Sequence, residues 1–235
     1  MKNLKIYRFQ HNRFYGGITT AFCSECNLNC IFCYSQNQRN KGKYFSADDI
    51  GHKIIQTARK YHDQQCRISG GDPFTKYSQL IKVIEYVMEN SNLYFILETN
   101  GIEIGRDEKI AEKLARFDKD RLTVRVSLKH IDGKKFHYLT GAPEKWSKFA
   151  LKSIHYLKKY KVKTLVSWMY DWYNEEEISQ LLEILIQEGY LKPGNKNISP
   201  DEWWEIQDKI DPEEFYPYRS VKVSRREILN NLNRI

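Results

Sequence analysis

Residues 17–33 read GITTAFCSECNLNCIFC, a β-branched run that leads directly into a cysteine-rich loop. The run Gly17–Phe22 predicts a first strand, which places the loop at the carboxyl end of that strand. Four of the five cysteines fall within eleven positions, and Cys66 stands apart from them. An odd number of cysteines argues against a disulfide framework and favours an iron–sulfur or zinc site in a reducing compartment. The clustered cysteines are Cys23, Cys26, Cys30 and Cys33.

Beyond this loop, short apolar runs alternate with helical patterns, which is typical of repeated βα units. Such units predict a parallel sheet, either doubly wound or closed into a partial barrel, with the active site at the carboxyl ends of the strands. Further strands are predicted at Cys66–Ser69, Leu93–Leu97, Leu122–Leu128 and Val162–Trp168, with a weak sixth candidate at Ser220–Val223. Helices are predicted after an N-cap at Ser46, around Leu80–Met88, and at Asp107–Phe117, Glu144–Tyr160 and Glu175–Gly189.

The composition excludes several classes of protein. With 235 residues and 41% hydrophobic side chains, the chain is long enough for one compact core and is neither disordered nor fibrous. No apolar run approaches the roughly 18 residues of a membrane span, and no export signal follows the basic amino terminus, so we expect a cytoplasmic protein.

The charge is unevenly distributed along the chain. The net charge is +8, but the window Asp171–Glu214 contains 13 acidic and only 3 basic residues. The remainder is therefore strongly basic. This balance favours anionic ligands, or it reflects only solvated surface lysines.

The cysteine loop contains the pattern C-x-x-x-C-x-x-C, formed by Cys26, Cys30 and Cys33. Three thiolates on a 4Fe-4S cluster leave one iron free to bind another group, as a catalytic cluster requires. In this pattern, and in the aromatic Phe32 before the last cysteine, the chain resembles the radical S-adenosylmethionine (SAM) superfamily, which implies that Phe32 is a cofactor contact. The resemblance implies a partial parallel (β/α)6 TIM-like barrel over residues 1–190, with a carboxyl-terminal extension, 191–235, on or over it. The alternative is a zinc knot in which Cys23 is the fourth ligand.

Other predicted strand ends carry features similar to motifs of this superfamily. Gly70-Gly71-Asp72-Pro73 resembles its Gly-Gly-Glu-Pro motif, which implies that Gly70, Gly71 and Asp72 hold the methionyl amine of SAM. Glu98-Thr99-Asn100-Gly101 looks like its Thr-Asn-Gly element, which implies that Thr99 and Asn100 face the ribose or methionyl end, although Asn-Gly is also an ordinary turn. The cation at the fourth strand end, Lys129, is our candidate for the SAM carboxylate, and Ser127 is a further cofactor contact.

One later segment resembles a particular branch of this superfamily. Residues 132–143, with Leu139-Thr140-Gly141 near their end, are similar to the region after the fourth strand in glycyl-radical activating enzymes. Those enzymes usually have acidic residues where Ser127 stands and Asp where Glu98 stands, so an ion site built from such carboxylates is not expected here. The chain also lacks their late-strand histidine, and from Met169 onward it matches no pattern of that branch.

The resemblance implies that a reduced 4Fe-4S cluster cleaves SAM to a 5′-deoxyadenosyl radical, which abstracts hydrogen from a substrate. The activating-enzyme branch implies a protein substrate and an electron donor of the flavodoxin or ferredoxin type. A small-molecule or RNA substrate remains open, with nucleic acid not favoured. A non-enzymatic iron–sulfur or zinc module, from a different class, would need only the cysteines and would have no use for the polar strand ends.

Overall fold

The computed structural model describes residues 3–13, 16–169 and 172–190, and it contains a seven-stranded sheet with helices between its parallel strands. The strands are β1 (Leu4–Asn12), β2 (Ile18–Cys23), β3 (Lys43–Phe45), β4 (Gln65–Gly70), β5 (Tyr94–Thr99), β6 (Leu122–Leu128) and β7 (Thr164–Trp168). The helices are α1 (Ala47–Tyr61), α2 (Tyr77–Asn90), α3 (Ile102–Arg106), α4 (Glu108–Leu114), α5 (Gly133–Thr140), α6 (Ser147–Lys159) and α7 (Glu175–Gln187).

Five strands, β2, β4, β5, β6 and β7, lie side by side in parallel and in chain order. This order confirms the α/β class with the parallel strands of a partial barrel. All five predicted barrel strands are present, with ends that differ from the prediction by at most two residues. The sixth candidate, Ser220–Val223, and the extension 191–235 lie outside the described residues.

Two strands were not predicted. The strand β1 pairs antiparallel with β2 on one side and with β3 on the other, so it extends the sheet beyond the first barrel strand. Its sequence, LKIYRFQHN, mixes apolar and charged residues, and only Leu4 and Ile6 in it are fully buried. An edge strand with one solvated face lacks the continuous apolar run that identifies the buried parallel strands.

The two faces of the parallel strands have opposite chemistry. Residues in register on β2, β4, β5 and β6 form a fully buried apolar layer that joins the buried faces of the helices in one core. Because successive side chains alternate across a strand, their neighbours line the opposite face, which is the interior of a barrel. That face carries polar and charged groups. The apolar layer is Ala21, Ile68, Leu97 and Val124, and polar residues of the interior face are Thr20, Arg67, Ser69, Glu98 and Arg125.

A buried ion cluster holds three interior strands together. Glu98 Oε1 lies 2.8 Å from an Arg67 guanidinium nitrogen and 3.4 Å from one of Arg125. The Ser69 hydroxyl donates to the other carboxylate oxygen. Burial by itself would raise the pKa of Glu98, but the two guanidinium groups outweigh it and hold that pKa below its ordinary value. The carboxylate therefore stays ionised and links β4, β5 and β6 from the inside.

Close packing of α3 against α6 predicts a position that tolerates no side chain. A Cβ atom at Gly105 would lie 1.8 Å from the carbonyl oxygen of Phe149 in α6. We therefore expect Gly105→Ala to force the helices apart and to lower the free energy of unfolding by about 2–3 kcal/mol. Urea denaturation measures this loss. Lys109→Ala, on the exposed surface of α4, is the control and should change stability by less than about 0.5 kcal/mol. Equal stability of the two variants would contradict this reading of the contact.

Candidate functional site

The cysteine loop begins where β2 ends, and backbone hydrogen bonds fasten its first residues to the end of β4. The Gly71 N–H donates to the Cys23 carbonyl at 2.7 Å, and the Asp72 N–H donates to the Glu25 carbonyl at 2.8 Å. A Cβ atom at Gly71 would lie 2.1 Å from that Glu25 oxygen, so only glycine permits the approach. The second glycine of the motif therefore allows the loop to pack closely, in addition to any role toward a cofactor.

Three thiols of the loop lie within electrostatic range of one another. Burial, then the charge of Asp72, and also the neighbouring thiolates of Cys30 and Cys33 raise the pKa of Cys26 to about 12. Burial also raises the pKa of Cys30 to about 11, against the opposing effect of the Lys129 cation. All three are free cysteines. Without a bound metal, the thiols of Cys26 and Cys30 are therefore protonated at neutral pH, and any metal that they bind must displace their protons.

The remaining cysteines belong to the core. Cys23 is 1% exposed at the end of β2, and Cys66 is fully buried within β4. Among the described residues, no three Cys, His, Asp or Glu side chains converge as a single metal ion requires. Thiolates on a 4Fe-4S cluster bind different iron atoms and need not converge on one point. The donor set of three soft thiolates thus fits a cluster.

The rest of the cysteine loop is held by contacts from several directions. Arg39 donates to the carbonyls of Cys26 and Leu28 and to the side chain of Asn29. The Asn29 and Ile31 N–H groups donate to the last carbonyls of α5, those of Thr140 and Leu139, at 2.8 and 2.9 Å. The loop is thus held both by Arg39 and by the carboxyl end of α5.

After Cys33 the loop is fastened to β4. The Tyr34 hydroxyl lies 3.1 Å from the Ser69 hydroxyl, and the Ser35 hydroxyl donates to the Gly70 carbonyl at 2.7 Å. Ser35 Oγ also lies 3.4 Å from Cys33 Sγ. The Gly70 carbonyl predicted to meet the SAM amine already accepts one hydrogen bond, and it keeps a second lone pair for another donor.

Asp72 connects the ends of two strands. Its carboxylate, 2% exposed, accepts hydrogen bonds from the Phe74 N–H, the Thr99 hydroxyl and the Asn100 N–H, the last at 2.7 Å. Burial raises its pKa to about 6, and these three donors oppose that rise. The Asp72 side chain therefore joins the end of β4 to the end of β5.

The fourth strand end carries Ser127 and Lys129. Ser127 Oγ lies 3.3 Å from Ser167 Oγ of β7. The Lys129 ammonium lies 5.6 Å from the centroid of the Phe32 ring, inside cation–π range, and it lowers the pKa of Cys30. Lys129 is thus, with Arg39, one of two cations that act on Cys30 of the cysteine loop. Phe32 packs against Trp172 with the ring centroids 5.5 Å apart.

His130 holds the backbone of Trp172, a role that the sequence did not reveal. The Asp132 N–H donates to Nδ1 at 3.0 Å, so Nε2 carries the proton and donates to the Trp172 carbonyl at 3.1 Å. Burial holds the pKa of His130 below its ordinary value, although Glu177 opposes this shift. A neutral, fixed imidazole therefore positions Trp172 against Phe32.

A polar cavity of about 340 Å³ adjoins the loop beside Cys26. Two buried oxygen atoms in its lining, Ser24 Oγ and Glu25 Oε2, have no hydrogen-bond partner within the part of the chain that the structure describes. The Lys76 ammonium lies 3.9 Å from the other Glu25 oxygen. These two oxygens beside Cys26 are therefore available to bind a further polar group.

Comparison with known proteins agrees with this geometry. A sequence model described as "Radical SAM superfamily" matches residues 21–185, well over half of the chain. An uncharacterized protein of Methanocaldococcus jannaschii is 31% identical over 152 residues, which cover 59% of this chain and 47% of the relative. A protein of Methanococcus aeolicus named "Probable GTP 3',8-cyclase" is 31% identical over 134 residues, covering 56% and 43%. The chain thus spans under half of the length of these curated relatives.

Solved structures show the same fold. Streptococcus suis SuiB bound to its precursor peptide SuiA aligns with a TM-score of 0.58 and 22% identity, over 70% of this chain and 35% of SuiB. SuiB bound to S-adenosylmethionine aligns with a TM-score of 0.57 and 23% identity, over 70% of this chain and 36% of SuiB.

Among the described residues, no helix is both long and apolar enough to cross a bilayer.

The role of Asp72 as a connector predicts the effect of an isosteric change. In Asp72→Asn an amide NH2 replaces one oxygen and faces a backbone N–H in either orientation, that of Phe74 or that of Asn100, so a buried donor loses its acceptor. We expect a loss of about 1–3 kcal/mol in the free energy of unfolding, measured by urea denaturation. The matched control is Asp132→Asn, at the exposed N-cap of α5, where Asn caps as well as Asp. A stable Asp72→Asn variant would show that the carboxylate is not the connector.

Proposed function

The chain belongs to the radical SAM superfamily, and from that premise we propose that Cys26, Cys30 and Cys33 bind a 4Fe-4S cluster at which SAM is cleaved. The cluster and SAM are the cofactors of this superfamily. The observation that carries the assignment is the position of the three free thiols at the end of β2, beside the polar ends of β4, β5 and β6. A module that only stores a cluster has no use for these strand ends.

The chemistry supplied by the bound cofactors is the reductive cleavage of SAM to methionine and a 5′-deoxyadenosyl radical that abstracts hydrogen from a substrate. The residues of the chain bind and orient SAM. We assign the SAM carboxylate to Lys129, and the methionyl amine to the backbone of Gly70 and Gly71. Asp72 keeps its connecting role and positions Thr99 beside that amine. Ser127 is assigned to the adenosyl end, because it lies on the interior face. Phe32 and Trp172 exclude water from the loop.

For the substrate, we propose a purine nucleotide. This choice rests on the relatives named as GTP 3',8-cyclases, which are about 30% identical to this chain over roughly half of its length. The basic character of the chain outside Asp171–Glu214 favours a polyanionic small molecule, since it raises the rate of encounter with anions. The electron is proposed to come from a small flavodoxin- or ferredoxin-like protein.

A protein substrate is the second candidate, favoured by the resemblance of residues 132–143 to glycyl-radical activating enzymes. The contacts of this segment also have another explanation. The Leu139 and Thr140 carbonyls support the cysteine loop, and the His137 ring bonds the Ala142 carbonyl at 2.8 Å. A segment occupied in this way serves the cluster whatever the substrate is, so we place the nucleotide first.

The cluster assignment predicts which cysteines are needed. After anaerobic reconstitution with iron and sulfide and reduction with dithionite, we expect slow cleavage of SAM to 5′-deoxyadenosine and methionine, measured by chromatography. Cys30→Ala should abolish the cleavage and the cluster absorbance, because two thiolates cannot hold the cluster.

Two cysteine controls make this test specific. Cys66 lies in β4, so the Cys66→Ala variant should still bind the cluster and cleave SAM. This variant checks that the loss of a buried thiol is tolerated. Cys23→Ala should retain the cluster as well. If Cys23→Ala loses its metal together with Cys30→Ala, and the wild type binds about one zinc per chain without cleaving SAM, the zinc knot is correct and the enzyme assignment is wrong.

The substrate assignment predicts a response to GTP. Radical SAM cleavage that is slow without substrate should speed up at least severalfold when GTP is added, with GTP consumed in step with 5′-deoxyadenosine formation. ATP is the matched control, because it carries the same triphosphate on a different base. Equal responses to both nucleotides would indicate recognition of phosphate alone. No response to either would reject a nucleotide substrate and favour the protein substrate.

A further inference from the structure

Asn100 directs a side-chain donor at one of the proposed cluster ligands. The residue follows β5 directly and is 6% exposed. Its amide nitrogen lies 3.9 Å from Cys26 Sγ, at the long end of N–H···S contacts, and 2.7 Å from Asn27 Oδ1. A primary amide has two N–H groups, so it can serve both partners at once. The Leu28 N–H supplies a second donor to the same sulfur at 3.4 Å.

The orientation of this amide is fixed by the chain itself. Asn100 Oδ1 accepts from the Ile102 N–H at 3.0 Å, which requires an oxygen on that side and leaves the nitrogen facing Cys26. The Asn100 backbone N–H is held by Asp72 at 2.7 Å. Both the position and the rotation of the side chain are therefore determined before any cofactor binds.

A further layer supports the contact. The Asn27 side-chain nitrogen donates to Glu103 Oε1 at 2.8 Å, and the Arg106 guanidinium lies 3.3 Å from that same oxygen. Asn27 therefore turns its oxygen toward Asn100 and its nitrogen toward Glu103. If the Asn100 amide were reversed, two oxygens would face each other, so the network admits only one arrangement.

We propose that Asn100 is a positioning residue that donates to the Cys26 thiolate and raises the reduction potential of the cluster. This inference rests on the proposed function, because it takes Cys26 as a cluster ligand. Reduction adds a negative charge to the cluster and its thiolates. An N–H dipole aimed at a ligand sulfur stabilises the reduced state more than the oxidised one, and hydrogen bonds to sulfur are a known determinant of cluster potential.

This assignment differs from a direct contact between the Asn100 side chain and SAM. All three polar positions of the amide already have partners within the chain. Its effect on SAM cleavage is therefore exerted through the cluster, by making the reduced state easier to reach. Asn100 has no need to touch the substrate.

The test is a redox titration of the reconstituted full-length protein, followed by electron paramagnetic resonance of the reduced cluster. Asn100→Asp keeps the size of the side chain and the acceptor for Ile102, but it places an anionic oxygen beside Cys26. Asn100→Ala removes the donor without adding charge. At a fixed solution potential, we expect the reduced-to-oxidised ratio to fall roughly tenfold in the Ala variant, which is about 59 mV for one electron. The Asp variant should fall further.

The matched control is Asn92→Asp, the same chemical change at an exposed position before the opposite end of β5. It should have the wild-type potential. A wild-type potential in both Asn100 variants would overturn the proposal. Failure of both folded variants to assemble a cluster would also overturn it, because a residue that only tunes the potential leaves assembly intact. If only the Asp variant fails to assemble, the Ala variant decides. Failure of the proposed function is separate, since wild-type protein would then hold no cluster and cleave no SAM.

Discussion

The structure of the site depends on the close backbone contact between the start of the cysteine loop and the end of β4. Gly71 and Asp72 donate to the carbonyls of Cys23 and Glu25 at the point where the pairing of β2 with β4 ends. Any side chain at position 71 would collide with Glu25, so the loop stays near the strand only because a glycine stands there. The direction in which Cys26 leaves the sheet follows from this contact. The Gly-Gly-Asp-Pro motif therefore shapes the cysteine loop before it meets a cofactor.

From this contact the polar groups form a connected system. The Asp72 carboxylate accepts hydrogen bonds from Thr99 and Asn100 at the end of β5, and the Asn100 amide in turn contacts Cys26. A buried carboxylate costs free energy unless donors surround it, and three donors surround this one. Deeper in the barrel, Glu98 performs the same task with two guanidinium groups. Each buried charge on the described interior strands thus has partners on a neighbouring strand, which ties the strands together beneath the site.

Much of this was predictable from the sequence, because the signals are local. Buried parallel strands are short continuous apolar runs, so the five barrel strands were predicted from the sequence, and the cysteine spacing carries the prediction that the three thiols are cluster ligands. The strand β1 was missed because one of its faces is solvated. The contacts of Arg39, His130 and Asn27 were missed for a different reason: each joins residues far apart in the chain. An arginine that binds loop carbonyls looks in sequence like any surface arginine.

The segment that suggested the activating-enzyme branch shows why motif resemblance and substrate must be separated. Thr140 and Leu139 end α5, and their carbonyls are among the last in the helix, which have no partner within it. The cysteine loop supplies that partner through the Asn29 and Ile31 N–H groups. Gly141, with φ +67°, ends the helix in the left-handed conformation and so turns the chain away at this point. The helix end and the cysteine loop together thus require glycine at position 141 and open backbone carbonyls at positions 139 and 140. The same requirement would hold for a nucleotide substrate or a protein substrate, so the segment reports on how the loop is supported and does not determine what the enzyme acts on.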